Sequence, residues 1–456
     1  MYVYLIIFIS LLAYDYIIEL FYNIVFFYNL YKIYGLYLNN NINATDIKNL
    51  MKSIDNVGFF SIKLIQWGLT RLKLYNLENI DRSILDPLDR YYEDCNFHDD
   101  SYTYYILNKN YDYNFKKNCE LIKIASGSIA QVYKLRFTKS KKTVALKIIH
   151  PNLEKKLLVS KFLSKIIYNI YKIVTKKYVN LNFDVFFDGL YKQLDLRNEY
   201  NNQSFFYKNY KNKYILVPKP YLTTKDTLFM EYIEGTQFKN LSCSLYKKTK
   251  IIIDLKMFVY NTWFKKKLIH ADLHNGNWKL KYCDKIKKYK LIVYDYGLCL
   301  DIKNIDIFLL REHLSQNKLD DVVDCILKLI INNKDIVQKY KNCVKQLIEK
   351  SDCVKQLNTT KILSIIYTFC LDNNIKINNE LLSIFIILLV NDNNIGQFKD
   401  RLSEKNNSIE NYDYPKMLSY CKLNNLYQDF RNHIRLYINK HKTKECLFDY
   451  IDKKYQ

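Results

Sequence analysis

Residues 268–278 read LIHADLHNGNW. Two histidines, an aspartate, a glycine and two asparagines gather there, in a chain with only seven His and nine Gly. Asp272 and Asn277 can share one loop, and Asp295 opens DYG behind the apolar run KLIVY. An aspartate at a loop tip can orient or deprotonate an attacking hydroxyl. An asparagine amide oxygen and a second carboxylate are hard oxygen ligands of the kind Mg²⁺ selects. A plainer reading makes His270 and His274 packing or hydrogen-bonding residues and the aspartates turn formers. Upstream residues decide between the two.

VALK ends at Lys147 in the middle of an apolar run. A lysine at such a position is rarely buried without a partner. IASGSIAQV, 124–132, lies between two expected strands. Its small residues Ala125, Ser126, Gly127, Ser128 and Ala130, with Ile129 among them, let backbone N–H groups approach phosphate oxygens, although the stretch is not G-x-G-x-x-G. LFMEYIEG ends an apolar edge strand at Glu231, where the neighbouring backbone can pair with an adenine. Small-residue loop, lysine, edge strand, aspartate loop and DYG stand in the order of a protein kinase, which takes ATP/ADP and Mg²⁺.

The elements that must position these residues are legible in part. LIKIAS, AQVYKLRF and TVALKIIH alternate as three short strands, and 217–235 reads as two more around a polar turn. NWKLKY and KLIVYDYG form a further strand pair, and the rest is mostly helical. The expected architecture is α+β, a kinase-like two-lobed fold. Its regions are 1–45, an apolar segment and linker; 46–118, a helical extension; 119–235, a smaller lobe with a helical insert; and 236–456, a helical larger lobe. Residues 302–456 read as helices completing that lobe.

Composition sets outer bounds. With 456 residues, 49% hydrophobic and 25% charged, the chain is of globular type. A net charge of +24 suggests an anionic partner, but the lysines are spread along the chain and no nucleic-acid motif accompanies them, so none is expected to bind. Eleven cysteines without a C-x-x-C pair exclude a disulfide framework or zinc ribbon. Residues 1–14 are apolar but for Ser10, short of the ~20 that span a bilayer. Asp15, Glu19 and Asn23 follow near one helical face. The favoured reading is a helix that is buried, or lies on a membrane with its acidic face turned away, and the other is a true span.

KIASGSIAQVYKLRF, VALKIIHP, DLRNEYNNQSFF, MEYIEG, IHADLHNGN and LIVYDYG together resemble the UbiB (AarF) family of atypical kinase-like proteins, from about Gly58 to Asp301. The resemblance implies a kinase-like fold with an N-terminal helical extension and ATP-Mg²⁺-dependent kinase or ATPase activity. It also implies a role in coenzyme Q biosynthesis or mitochondrial membrane lipid homeostasis, with membrane lipid or quinone-pathway proteins as partners. Carried onto this chain, Asp272 is the catalytic aspartate, Asn277 and Asp295 hold Mg²⁺, Lys147 meets phosphate and Glu199 orients Lys147. Residues 125–130 cover the phosphates.

The family's K-x-G-Q helix falls on Lys63 to Gln66, where it implies a regulatory role over the active site. Ile65 replaces the glycine, and QWGLTR is similar to the Q-W-A-S-T-R of a mitochondrial subgroup. The family's E-x-D has become Gln193 to Asp195, so an extra metal contact there rests on Asp195. Asn275 stands where the family has proline. Two other classes stay open. One is a non-enzymatic, nucleotide-gated lipid-binding or scaffolding protein. The other is a small-molecule phosphotransferase, which shares the H-x-D-x-H-x-x-N loop but leaves the 63–66 helix and QLDLRNEY unexplained.

Overall fold

The computed structural model describes residues 2–39, 42–74, 86–92, 95–175, 183–211, 215–243, 268–285, 287–302, 319–331 and 334–350, with isolated positions in 248–262 and 365–375. The helices expected across 302–456 therefore lie largely outside the described residues. So do the side chains of Trp67 to Arg71 and of Asn275. The chain divides into two compact units, Met1–Asn201 with Lys219–Tyr232, and Asn202–Pro218 with Ile233–Gln456.

The first unit opens with α1 (Tyr2–Leu38), α2 (Ala44–Val57) and α3 (Phe59–Leu74). Asn43 caps α2 by accepting from the Asp46 N–H at 3.0 Å, and Gly58 ends it at φ 78°, a conformation that costs a residue without Cβ little. Ile47, Leu50, Ile54 and Val57 recur at helical spacing and are all buried. A five-stranded antiparallel sheet follows in the order β1-β2-β3-β6-β5. Its strands are β1 (Cys119–Ser126), β2 (Ala130–Phe137), β3 (Thr143–Ile149), β5 (Pro220–Thr223) and β6 (Thr227–Glu231).

The sheet is buried on both faces, which explains why β3 reads as a nearly unbroken apolar run. Leu146 and Ile148 share a cluster with Tyr133, Leu135 and Phe229, covered by Ile106 and Leu107 of α4 (Asp100–Asn110) and by Phe115 of the short α5 (Phe115–Asn118). Ala145 and Ile149 face the other way, into a cluster built with α6 (Leu153–Thr175), α7 (Phe183–Gln193) and the start of α8 (Leu196–Tyr210). By the two-residue period of a strand, Lys147 sits on that second face.

The acidic face of α1 meets protein. Asp15 takes Lys155 at 2.7 Å, Glu19 lies 3.6 Å from Lys156, and Asn23 accepts from Ser160 at 2.8 Å, all three partners on α6. The opposite face, with Ile17, Phe21, Ile24, Tyr28 and Tyr31, is exposed. Among the described residues no helix is long and apolar enough to cross a membrane.

In the second unit, β4 (Ile215–Leu216) runs parallel to β9 (Lys288–Val293), which pairs antiparallel with β8 (Trp278–Cys283). A two-stranded ribbon joins β7 (Leu268–His270) to β10 (Cys299–Asp301). Strands β4, β7 and β10 have three residues or fewer, too short to show a period in sequence. Helices α9 (Leu319–Ile330) and α10 (Lys334–Lys350) pack through Val323, Leu327, Val344 and Ile348, all buried.

Gly235 enters this unit where there is no room for a side chain. A Cβ there would stand 2.6 Å from Ile292 Cδ1 and 2.9 Å from Lys279 Cβ. Gly235→Ala is therefore expected to lower unfolding free energy by about 1–3 kcal/mol. Gly189→Ala, where an added Cβ meets nothing within 4 Å, should leave the denaturant midpoint unchanged or raised.

Candidate functional site

Lys147 is 7% exposed and Glu199 3%, and their charges meet. Lys147 Nζ donates to both Glu199 carboxylate oxygens, at 2.9 and 2.8 Å, across 52 positions of sequence. Strand β3 lies between β2 and β6, with Lys147 opposite Val132 and Leu228, so the lysine's backbone is fixed by ladders on both sides. Glu199 is fixed by the start of α8. Asp195 caps that helix, accepting from the Arg197 N–H at 3.0 Å, while the Leu196 N–H donates to the Lys225 carbonyl at 2.9 Å.

Asp195 thus has a structural duty that the sequence does not announce. Both its oxygens also take the Arg197 guanidinium, at 2.6 to 3.1 Å, and this bonding holds its carboxyl below the usual carboxylate range. Gln193 is buried and returns its amide N–H to the Gly189 carbonyl. Glu231 closes β6, where its N–H donates to the Lys219 carbonyl at 2.8 Å and its carboxylate accepts from the Lys219 N–H at 3.1 Å. On α3, Lys63 is half-buried, and buried Gln66 donates to the Tyr91 carbonyl at 2.8 Å. Ile65, where the family has glycine, is a core residue beside Leu88 and Tyr91.

The loop after β1 is a tight connection. The Gly127 N–H donates to the Ala130 carbonyl at 3.0 Å, Ala125 is exposed, and Ser126 is buried with its hydroxyl on the Asn96 carbonyl. Ser128 and Ile129 are half-buried. Sequence reasoning passed over the residues gripping this loop, His98 and His150. His150 stands inside a recognisable motif, whereas His98 carries no signal at all.

In the second unit the aspartate loop is organised around His270. Its Nε2 faces the Tyr294 carbonyl at 2.9 Å, an acceptor only, so Nε2 carries the proton and Nδ1 accepts from the Asp272 N–H at 3.3 Å. Burial pushes the His270 imidazole down from its ordinary value, which keeps it neutral for this double duty. Asn277 donates its amide N–H to the Asp272 carbonyl at 2.7 Å, and the Tyr294 N–H returns to the Asn277 carbonyl at 2.8 Å. Asp272, Asn277 and DYG are thereby tied into one loop cluster.

The same bond orients the Asn277 amide. Its nitrogen must face a carbonyl, so its oxygen points the other way, free of the Asp272 backbone. Asp295 sits at φ 54°, in the left-handed region, with its carboxylate accepting from the Gly297 N–H at 3.2 Å. Lys141, Asn152 and Lys287 share this conformation, and aspartate is among the residues that adopt it most readily. Among the described residues no cluster of three or more His, Cys, Asp or Glu can hold a metal. One amide oxygen and one carboxylate still fit Mg²⁺, which takes few protein ligands and completes its shell with phosphates and water.

Sheet, paired lysine, aspartate loop and DYG define a kinase-like fold. Residues 105–329 match the ABC1 atypical kinase-like domain. An Arabidopsis thaliana chloroplastic protein, an uncharacterised aarF domain-containing protein kinase, is 27% identical over 40% of this chain and 25% of its own length. The probable protein kinase UbiB of Blochmanniella pennsylvanica is 29% identical over 36% of this chain and 32% of its own. The chain thus matches about a quarter to a third of these relatives. Among solved structures, the Rv3197–erythromycin complex from Mycobacterium tuberculosis overlaps 50% of this chain and 61% of its own, at 18% identity and a TM-score of 0.39.

Truncating Glu199→Ala leaves a buried ammonium without its carboxylate and is expected to cost about 3–5 kcal/mol, measured by chemical denaturation. The double variant Lys147→Met/Glu199→Leu removes both charges and should be less destabilised than Glu199→Ala alone.

Proposed function

We propose that this protein is an ATP- and Mg²⁺-dependent atypical kinase or ATPase of the UbiB type. We infer that it serves coenzyme Q biosynthesis or membrane lipid homeostasis at a mitochondrial membrane. The buried Lys147–Glu199 pair is the observation that carries the nucleotide reading. A bidentate carboxylate holds the ammonium in one place and keeps it charged inside the protein, which is what a phosphate-binding lysine requires.

The remaining roles follow from each residue's chemistry. Asp272 accepts the proton of an attacking hydroxyl or water, with its backbone clamped by His270 and Asn277. Asn277 and Asp295 hold Mg²⁺, which when bound neutralises charge on the phosphates. Ala125 to Ala130 present backbone N–H groups to phosphate oxygens, and Glu231 ends the strand that leads to the adenine-pairing backbone. Asp195 acts by capping the helix that carries Glu199. Lys63 and Gln66 are assigned the regulatory helix, as in the family.

Membrane association is supported by the exposed face of α1. Ile17, Phe21, Ile24, Tyr28 and Tyr31 form one stripe, aliphatic residues beside tyrosines of the kind that settle at a lipid headgroup boundary. The acidic side of α1 is occupied by lysines of α6, so the helix meets lipid with its apolar side alone.

Mg²⁺-dependent ATP hydrolysis, measured with and without anionic liposomes, tests the reading, and stimulation by the liposomes is the expected result. Nucleotide binding without turnover, unchanged by lipid, would favour a nucleotide-gated scaffold instead. Asp295→Asn should weaken ATP-Mg²⁺ binding by roughly a hundredfold in a thermal-shift titration, because a neutral amide replaces the charge facing the metal. An undiminished shift would remove DYG from the metal site. Carbonate extraction should release the protein, and retention in the pellet would mark a true span.

A further inference from the structure

The loop between β1 and β2 is gripped from outside its own hairpin. His150, immediately after β3, places Nε2 at 3.0 Å from the Gly127 carbonyl and 3.4 Å from the Ser126 hydroxyl, and its backbone N–H donates to the Ile129 carbonyl at 2.9 Å. Its other ring nitrogen, Nδ1, lies 2.7 Å from Nδ1 of His98. His98 belongs to the segment before α4, whose Cys95 N–H donates to the Ser126 carbonyl at 3.0 Å. Its Nε2 contacts the Thr103 hydroxyl at 2.9 Å, and Thr103 contacts the Tyr133 hydroxyl at 2.7 Å.

The chain meets an acceptor at each end, the Gly127 carbonyl and the Asp100 carboxylate that takes the Tyr133 hydroxyl at 2.9 Å, and the Gly127 end orders the two rings. A carbonyl only accepts, so His150 Nε2 carries hydrogen and, in the neutral ring, Nδ1 is bare. His98 must then donate from Nδ1, which leaves its Nε2 bare to receive the Thr103 hydroxyl proton. Every bond from Thr103 onward points toward the loop. A further proton on His98 goes to Nε2, facing the Thr103 hydroxyl, and one on His150 leaves its Nε2–H on the Gly127 carbonyl, so the grip on Gly127 survives in either state.

The grip has a consequence for the peptide it holds. In a trans peptide the carbonyl and the following N–H point in opposite directions, and no peptide here is cis. Drawing the Gly127 carbonyl onto His150 turns the Ser128 N–H to the far side of the loop. We propose that His98 and His150 form a latch that sets the 127–128 peptide so that the Ser128 N–H meets a phosphate oxygen of bound nucleotide. Both are positioning residues, and the proposal rests on the nucleotide reading above.

The surroundings favour the neutral pair near pH 7. Burial, then His150 and Lys123, push His98 down to about 4, against Asp99 and Asp100. Burial lowers His150 as well, with Lys156 of α6 adding to it and the Gly127 bond opposing. Groups held below their ordinary value of 6.5 contribute stability to the folded protein above that pH. They lose this contribution as the pH falls toward their folded values.

Two measurements on the full chain test the latch. In ¹⁵N-histidine NMR at pH 7.5, His98 should be the Nδ1–H tautomer and His150 the Nε2–H tautomer. Any other pair overturns the latch, whether or not the protein binds nucleotide. In calorimetry with ATP-Mg²⁺, His98→Phe and His150→Phe should each weaken binding about tenfold, the scale of one hydrogen bond to a charged group. Adenosine affinity should be unchanged in both. Equal losses for ATP and adenosine, or unaltered ATP binding, would refute the positioning role. Wild type with the expected tautomers but no ATP binding would refute the nucleotide reading, and the phosphate role with it, while leaving the latch as a structural clamp.

Discussion

A charge buried in the first unit constrains most of what surrounds it. Lys147 sits on a strand paired on both sides, and an ammonium at that depth stays charged only beside a carboxylate. Glu199 supplies it from a helix whose first turn is set by the Asp195 cap and by the Leu196 bond to the Lys225 carbonyl. The turn between β5 and β6, the strand β3 and the start of α8 are therefore placed by one requirement. A hydrophobic pair would fill the same space at lower desolvation cost, so stability alone does not require the ion pair.

The second unit solves a different problem, holding irregular backbone still without regular structure. His270 does this with one ring, donating to Tyr294 and accepting from Asp272, which joins the loop before β8 to the strand before DYG. The Asn277 bonds to Asp272 and Tyr294 close the same circuit. Asp295 and Lys287 both take left-handed backbone in this unit, a conformation glycine adopts at lower cost.

The amino-terminal helix shows how one pattern admits two environments. Asp15, Glu19 and Asn23 mark a polar face by spacing alone, which fits either water or a protein partner. The lysines and the serine of α6 occupy it, so the polar face is the docked one and the apolar stripe is left outside. The docked side also carries Phe26, wholly buried against Phe60, with Tyr22, Phe27 and Leu30 packed on the same core, so α1 is apolar on both sides.

What the sequence determined by itself was local. The alternation of AQVYKLRF and TVALKII, the LFME strand and the KLIVY run into DYG were legible because burial on a strand repeats every two residues. The motif order singled out Lys147, Asp272, Asn277 and Asp295 as a candidate set. Tertiary structure decided what depends on distant partners: that Asp195 caps α8 and binds Arg197, that Ile65 is a core residue, and that His270 is a bracket. It also joined His98 to His150, 52 positions apart, through a single ring-to-ring bond. Neither residue's neighbours in sequence hint at the other, because a hydrogen bond between two side chains depends only on where the fold delivers them.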